Sequence, residues 1–282
     1  MEKIALITDT ASDLSDEMLS RYNIKILPFR IIYKDREYKD RFEIKPQQVY
    51  DNFVNEIPTT SLPSVDDMEN LYRKLEEEGY THAIAIVLST GLSGIYNGLK
   101  VASEEHPRVK TFIFDSKSIS MGEGAQVLHC AELIEAGKSF DEIVEEIPKF
   151  YNKIHLFFVV GTLTYLKKGG RIGRVSGTIG ELLHIKPIIS PDTDGVYIQY
   201  DKVRGRKQSI ARLKEIGMEI LNKHKCKVYV MHGDSEEEAK NFYEEFSKLP
   251  NINSISFGGC ISPVSGVHSG PGLVGLVLVE DD

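Results

Sequence analysis

Short runs of apolar, often β-branched residues recur along this 282-residue chain, and each has the length of one buried strand. Four of them are KIALITD (3–9), HAIAIVL (82–88), KTFIFD (110–115) and HLFFVVG (155–161). Strands that are apolar on both faces belong to sheets covered by helices on both sides. Helical patterns stand between these runs; in one, Ser64 caps a helix that ends at Gly79. The alternation predicts an α/β fold with crossover helices.

The pattern of residue types changes near residue 155. A glycine-rich and basic stretch, LKKGGRIGRVSG (166–177), is followed by a predicted hairpin around Asp194-Gly195 and a helical pattern over 209–224. Further strand and helix patterns continue to the end of the chain. We therefore predict two α/β domains, 1–152 and 153–282, each a sheet flanked by helices.

Composition excludes several classes of protein. Lys and Arg number 34 against 42 Asp and Glu, and a net charge of -8 argues against a protein that grips nucleic-acid backbone. The first residues lack the pattern of a signal peptide, and no apolar run reaches the length of a membrane span, so we expect a soluble cytoplasmic protein. Three scattered cysteines and histidines without ligand spacing do not indicate a metal site.

The stretch LSTGLSGIYNGLK (88–100) places hydroxyl residues and glycines between a predicted strand and a helix. Side-chain hydroxyls, free backbone N–H groups and a helix N-terminus together bind anions. Ser93 would donate its hydroxyl to a carboxylate, and Gly94 would let backbone N–H groups approach closely. Simple turn chemistry is the alternative interpretation of the same residues.

A serine hydrolase is the second interpretation of this stretch. Ser93 lies between a strand and a helix, as in a nucleophile elbow, and Asp234 and His268 follow in the hydrolase order. However, Ile95 occupies the place of the second glycine of G-x-S-x-G, and the usual HGG-type oxyanion loop is lacking.

Two further stretches carry candidate binding residues. Thr60 and Ser61 belong to IPTTSLPS (57–64), which its prolines should hold extended. His268 belongs to CISPVSGVHSGPG (260–272), a predicted glycine- and serine-rich loop after a strand. An exposed loop histidine is the alternative to a site residue there.

Seven stretches carry a resemblance to a known family: Thr59–Ser64, Leu88–Tyr96, Asp115-Ser116, Leu166–Ile172, Ile185–Ile188, Lys202–Arg204 and His268–Gly272. In their order and spacing, over nearly the whole chain, they resemble the bacterial DegV family.

The resemblance implies that the two domains hold one long-chain fatty acid between them. Residues 1–152 would carry the carboxylate-binding loops, and residues 153–282 the acyl tunnel and the His268 loop. In this family the protein is the fatty-acid-binding subunit of a fatty acid kinase: it presents the carboxylate to a separate ATP-dependent kinase and carries the acyl phosphate. The chain would be a carrier without its own cofactor, with ATP and Mg²⁺ on the kinase. Similarity to dihydroxyacetone kinases adds a small polyol as an alternative ligand.

Carried over residue by residue, the resemblance assigns Thr60 and Ser93 to carboxylate binding, with Ser61 and Gly94 beside them. His268 matches the histidine near the carboxyl group. The departures from the family pattern, Leu62 and Thr90 in place of Gln and Ser, remove none of these donors.

The resemblance also assigns Arg171 and Arg204 to kinase docking or phosphate handling. The apolar stretch IGELLHIKPII (179–189) has two interpretations, as lining of the acyl tunnel or as ordinary helix core.

Overall fold

The computed structural model describes residues 2–178 and 185–281, without the side chains of 176–178. Its strands are β1 (Ile4–Asp9), β2 (Lys25–Leu27), β3 (Arg30–Ile32), β4 (Glu37–Lys39), β5 (Thr59–Ser61), β6 (His82–Val87), β7 (Lys110–Asp115), β8 (Ile154–Val159), β9 (Ile185–Pro191), β10 (Tyr197–Arg204), β11 (Cys226–Gly233), β12 (Ile252–Cys260) and β13 (Leu273–Glu280).

The α-helices of the same residues are α1 (Asp16–Arg21), α2 (Pro46–Asn52), α3 (Val65–Glu77), α4 (Ile95–Glu104), α5 (Met121–Glu135), α6 (Phe140–Tyr151), α7 (Thr164–Lys168), α8 (Arg206–Leu221), α9 (Glu236–Phe246) and α10 (Pro263–Ser269). Two short 3₁₀-helices span Thr10–Ser12 and Gly173–Thr178.

A parallel four-stranded sheet forms in the first half of the chain, with strand order β2-β1-β6-β7. Its two central strands, β1 and β6, were predicted to be buried and are buried. β7 was predicted to be buried too, but it lies at the edge of the sheet and is only partly buried. The predicted cap is also confirmed, since the Ser64 hydroxyl accepts from the Asp67 N–H at the start of α3.

A mixed six-stranded sheet forms in the second half, with order β10-β9-β8-β13-β11-β12. The predicted hairpin is present: β9 and β10 pair antiparallel, and the Gly195 N–H donates to Asp192 O at 2.8 Å. Only β11 and β12 run parallel, and they are joined through α9.

A small antiparallel sheet, β4-β3-β5, was not predicted. Its strands have three residues each, which is too short for an alternating apolar pattern to be recognised in the sequence. β5 is part of the stretch predicted to be extended, and Thr60 on it pairs with Ile31 of β3.

The hydrophobic core is continuous between the two large sheets. Ile84 and Val87 of the parallel sheet belong to the same buried cluster as Leu156 and Phe158 of β8. A second cluster fills the space between the other face of the six-stranded sheet and helices α8 and α9. The sheets thus form an α/β fold with flanking helices, as expected, while the domain boundary near residue 152 stays a prediction. None of the described helices is both long and apolar enough to cross a membrane.

The loop after β6 contacts the β9–β10 hairpin closely. The Ser89 hydroxyl donates to Gly195 O at 2.8 Å, and a Cβ on Gly91 would lie 2.7 Å from the same carbonyl oxygen. The absence of a side chain at Gly91 is therefore what allows the hairpin to approach the loop.

We expect Gly91→Ala to lower the free energy of unfolding by about 1–3 kcal/mol, because a backbone carbonyl must move to admit the methyl group. Urea denaturation measures this change. Gly275→Ala is the matched control, since its added Cβ would meet nothing closer than 3.6 Å. Equal stability of both variants would contradict the close contact.

Candidate functional site

A cavity of about 310 Å³ lies between the two large sheets. Its walls are mainly apolar: Leu156 and Phe158 of β8, Met231 of β11 and Val277 of β13 face it from the six-stranded sheet. Leu88, at the end of β6, lines it from the opposite side. The carboxyl ends of parallel strands therefore meet an apolar sheet face, which is a usual position for a ligand site in α/β proteins.

Three of the predicted polar residues of the cavity come from separate elements. Thr60 is placed by β5, Ser93 by the loop after β6, and His268 by α10. A hydrogen bond of 2.8 Å joins Thr60 Oγ1 and His268 Nε2, although the two residues are 208 positions apart in the chain. This bond connects the two halves of the protein at the polar end of the cavity.

The Ser93 hydroxyl is held at the start of α4. Ser93 N–H donates to Ser89 O at 3.0 Å, and the Ser93 Oγ accepts the Ile95 N–H at 3.3 Å. No described residue accepts the Ser93 hydroxyl hydrogen, which leaves it available to a ligand oxygen. Gly94 is the residue that precedes the helix, and it also lines the cavity. A helix N-terminus with a serine hydroxyl beside it provides donors for an anion.

His268 is neutral at physiological pH. Burial, and secondly the positive charge of Arg171, lower the pKa of the imidazole to about 4. For the Thr60 hydroxyl to donate to a ligand, His268 must donate its Nε2 hydrogen to Thr60 Oγ1. Nδ1 then carries no hydrogen, and it has no hydrogen-bond partner among the described residues.

Arg171 is fixed beside this group by backbone carbonyls. Its Nε donates to Leu92 O at 3.2 Å and its Nη1 to Gly169 O at 2.6 Å. It lines both the apolar cavity and a neighbouring outer cavity of about 540 Å³, whose walls also include Lys34 and Lys168. Arg171, Thr60 and His268 are shared by both cavities.

All the predicted site residues except Arg204 line the cavity. Ser61 lines the cavity with Thr60, but it is exposed and its hydroxyl donates to Leu62 O at 3.2 Å. Arg204 lies exposed at the end of β10, opposite Ile185, and is not part of the cavity wall. A role for Arg204 therefore stays a prediction.

The hydrolase arrangement is not assembled. His268 Nε2 pairs with Thr60, and its other ring nitrogen has no partner among the described residues. Asp234 is exposed, and its carboxylate accepts from Gln47 Nε2 at 3.4 Å. Ser93 is thus without the base and the orienting acid that a nucleophilic serine requires.

Two local predictions need correction. His268 belongs to helix α10 and not to a loop, and the Ser-Pro pair at 262–263 was the signal, since proline is favoured at the first position of a helix. The second correction concerns the stretch 179–189, which was interpreted as tunnel lining or helix core. Residues 179–184 lie outside the described part of the chain, and the residues from Ile185 onward form strand β9. Ile188 and Ile189 are buried in β9 and do not line the cavity.

Within residues 2–178 and 185–281, no three His, Cys, Asp or Glu side chains are grouped so that they could hold a metal ion.

Comparison with known proteins shows the family of the chain. Residues 3–281 match the family described as "Uncharacterised protein, DegV family". A DegV domain-containing protein of Clostridium acetobutylicum is 63% identical over 281 residues, which cover 100% of both chains. Protein DegV of Bacillus subtilis is 31% identical over 278 residues, covering 97% of this chain and 98% of that protein. The chain belongs to the DegV family.

Solved structures agree with the fold. A fatty-acid-binding DegV family protein from Thermus thermophilus has a TM-score of 0.91 at 27% identity, covering 99% of this chain and 100% of that one. DegV of Bacillus subtilis, described as a fatty acid binding protein, has a TM-score of 0.90 at 29% identity, with both chains fully covered (100%). A stearic-acid-binding protein from Eubacterium ventriosum has a TM-score of 0.89 at 28% identity, covering 99% and 98%.

We expect the His268 imidazole to stay neutral down to about pH 5, because its pKa in the folded protein is about 4. The unfolded chain takes up this proton near pH 6.5, so the contribution to stability is present above that pH and is lost as the pH falls towards 4. NMR titration of histidine-labelled protein, assigned with His268→Gln, measures the pKa. Between pH 7.5 and 4.5 the free energy of unfolding should fall more for the wild type than for His268→Gln. Titration of His268 near pH 6.5 would contradict this prediction.

Proposed function

We propose that this chain binds one long-chain fatty acid, with the acyl tail in the apolar cavity and the carboxylate at Thr60, Ser93 and His268. The observation that carries the proposal is that these hydroxyl and imidazole groups line a mainly apolar cavity, in which Thr60 and His268 are hydrogen-bonded to each other. Its volume of about 310 Å³ is within the usual range of ligand pockets.

The apolar walls account for most of the proposed affinity. At about 0.8 kcal/mol per buried CH₂, an acyl chain of about 16 carbons contributes on the order of 10 kcal/mol before ordering costs. A ligand of this kind should remain bound through purification. The fatty-acid-binding descriptions of the relatives from Thermus thermophilus and Bacillus subtilis support the same ligand class.

The polar end suits an ionised carboxylate that must later react. Two hydroxyls and the start of α4 replace the hydration of the carboxylate without a direct ion pair. Since His268 is neutral and Arg171 is already bonded to backbone carbonyls, the carboxylate oxygens keep their nucleophilicity.

We further propose that the chain presents this carboxylate to a separate ATP-dependent kinase and carries the acyl phosphate. ATP and Mg²⁺ would be bound by the kinase, and the encounter would take place in the cytoplasm. Arg171 faces the outer cavity as well as the carboxylate group, so it is suited to contact the transferred phosphoryl group or the kinase. Arg204 is proposed as a docking residue on the exposed end of β10.

Mass spectrometry of the organic extract from freshly purified protein tests the ligand. We expect one fatty acid per chain. A protein that is empty and also fails to take up added fatty acids would contradict the proposal, and would favour the alternatives of ester hydrolysis through Ser93 or a polyol ligand.

Single substitutions test the assignment of residues. Ser93→Ala and Thr60→Ala should each weaken fatty-acid binding about tenfold, because a buried carboxylate oxygen loses a donor. Thr90→Ala is the matched control: it removes a hydroxyl of the same loop that is exposed and bonded to Asp115, and binding should not change. Isothermal titration with palmitate measures the affinities.

Arg171→Ala should leave fatty-acid affinity within about twofold and reduce phosphorylation by the kinase at least tenfold, since a cation near the phosphoryl group is removed. Loss of lipid binding in Arg171→Ala equal to that in Ser93→Ala would contradict the division of roles. The hydrolase alternative requires instead that Ser93→Ala abolish turnover of a simple ester.

A further inference from the structure

Helix α10 is held at its N-terminus by two carboxylates from the other half of the chain. The Ser262 N–H donates to Asp13 Oδ1 at 2.8 Å, and the Val264 N–H donates to Asp40 Oδ1 at 3.1 Å. The paired residues are 249 and 224 positions apart in the sequence. These contacts are therefore made by tertiary structure and not by a local cap.

The local sequence does not supply the cap. Ser262 precedes the helix, but its hydroxyl donates to Ser265 Oγ at 3.0 Å and does not accept a helix N–H. Pro263, the first helical residue, has no N–H to donate. Backbone N–H groups in the first turn of a helix need partners from outside the helix, and negative charge is favourable there. Asp13 and Asp40 meet the first requirement, since each accepts one backbone N–H at the start of the helix. Burial raises the pKa of Asp40 to about 7, so near neutral pH it supplies an acceptor oxygen and not a full negative charge.

Both acids are themselves fixed. Asp40 is fully buried, and its own N–H donates to Phe29 O at 2.9 Å, next to the small sheet. The Asp13 carboxylate accepts the Ser120 hydroxyl at 2.5 Å through its second oxygen, and Ser120 lines the cavity. The start of α10 is therefore tied to the backbone position of Asp40 and to the anchored side chain of Asp13.

The position of α10 matters because it is a wall of the site. Val264, Ser265, His268 and Ser269 of this helix line the cavity, and His268 makes the bond to Thr60. We propose that Asp13 and Asp40 are positioning residues, which fix α10 so that His268 pairs with Thr60 and thereby set the affinity for the ligand carboxylate. This inference rests on the proposed function, and it assigns a role to two acids that do not themselves touch the carboxylate site.

The test compares truncation of Asp40 with its conservative replacement in the full chain, with palmitate as probe. Asp40→Ala should weaken palmitate binding about tenfold and shift the His268 imidazole resonances, because the Val264 N–H loses its partner. Asp40→Asn keeps an acceptor oxygen, so both the affinity and the resonances should stay close to those of the wild type.

Glu123→Ala is the matched control for loss of a buried acid. Glu123 is fully buried, but its carboxyl group accepts from the Thr8 hydroxyl and not from an N–H of α10. This variant should be less stable, with unchanged palmitate affinity and unchanged His268 resonances. Equal loss of affinity in Glu123→Ala, or wild-type affinity and resonances in folded Asp40→Ala, would overturn the proposal.

Two further readouts separate the outcomes. If Asp40→Ala does not fold, Asp40→Leu can replace it, since leucine removes the acceptor at similar volume. The second readout is hydrogen exchange of the Val264 amide in the wild type, which needs no variant. That exchange should be slow; exchange as fast as an open amide would overturn the positioning role. If the wild type binds no palmitate, the proposed function fails, whereas the His268 resonances of ligand-free Asp40→Ala still test the contact between Asp40 and α10.

Discussion

The hydrogen bond between Thr60 and His268 is the contact on which the site depends. It joins a three-residue strand of the first half to a seven-residue helix of the second half, at the polar end of an apolar cavity. Neither element is long enough to hold its position alone. β5 is therefore held by pairing with β3, and α10 by contacts with carboxylates more than 200 residues away in the chain.

Charge is distributed around this bond in a way that suits a reactive carboxylate. Burial keeps His268 neutral, and the nearby Arg171 reinforces this while its guanidinium donates to the carbonyls of Leu92 and Gly169. The apolar cavity therefore offers hydroxyl donors, and the neighbouring outer cavity offers the cationic side chains of Arg171, Lys34 and Lys168. A carboxylate bound between them would be stabilised without a direct ion pair, which is what the proposed carrier role requires.

Much of the fold follows from local sequence patterns. The apolar runs over 3–9 and 82–88 form the two central strands of the parallel sheet, because strands with two apolar faces must be covered on both sides; the run over 110–115 forms its edge strand. The small sheet and helix α10 could not be predicted in the same way. Three-residue strands carry no period, and the glycines and serines of 260–272 are as typical of a loop as of a short helix.

The sequence by itself determined the chemistry available to the site: hydroxyls at Thr60 and Ser93, a glycine before α4, an imidazole at His268 and a cation at Arg171. Only the tertiary structure decided which of them meet. Ser93, Asp234 and His268 stand in hydrolase order, yet His268 pairs with Thr60 and Asp234 with Gln47. The physical reason is that the orientation of α10 is set by acceptors for its first N–H groups, and these come from Asp13 and Asp40, far away in the chain.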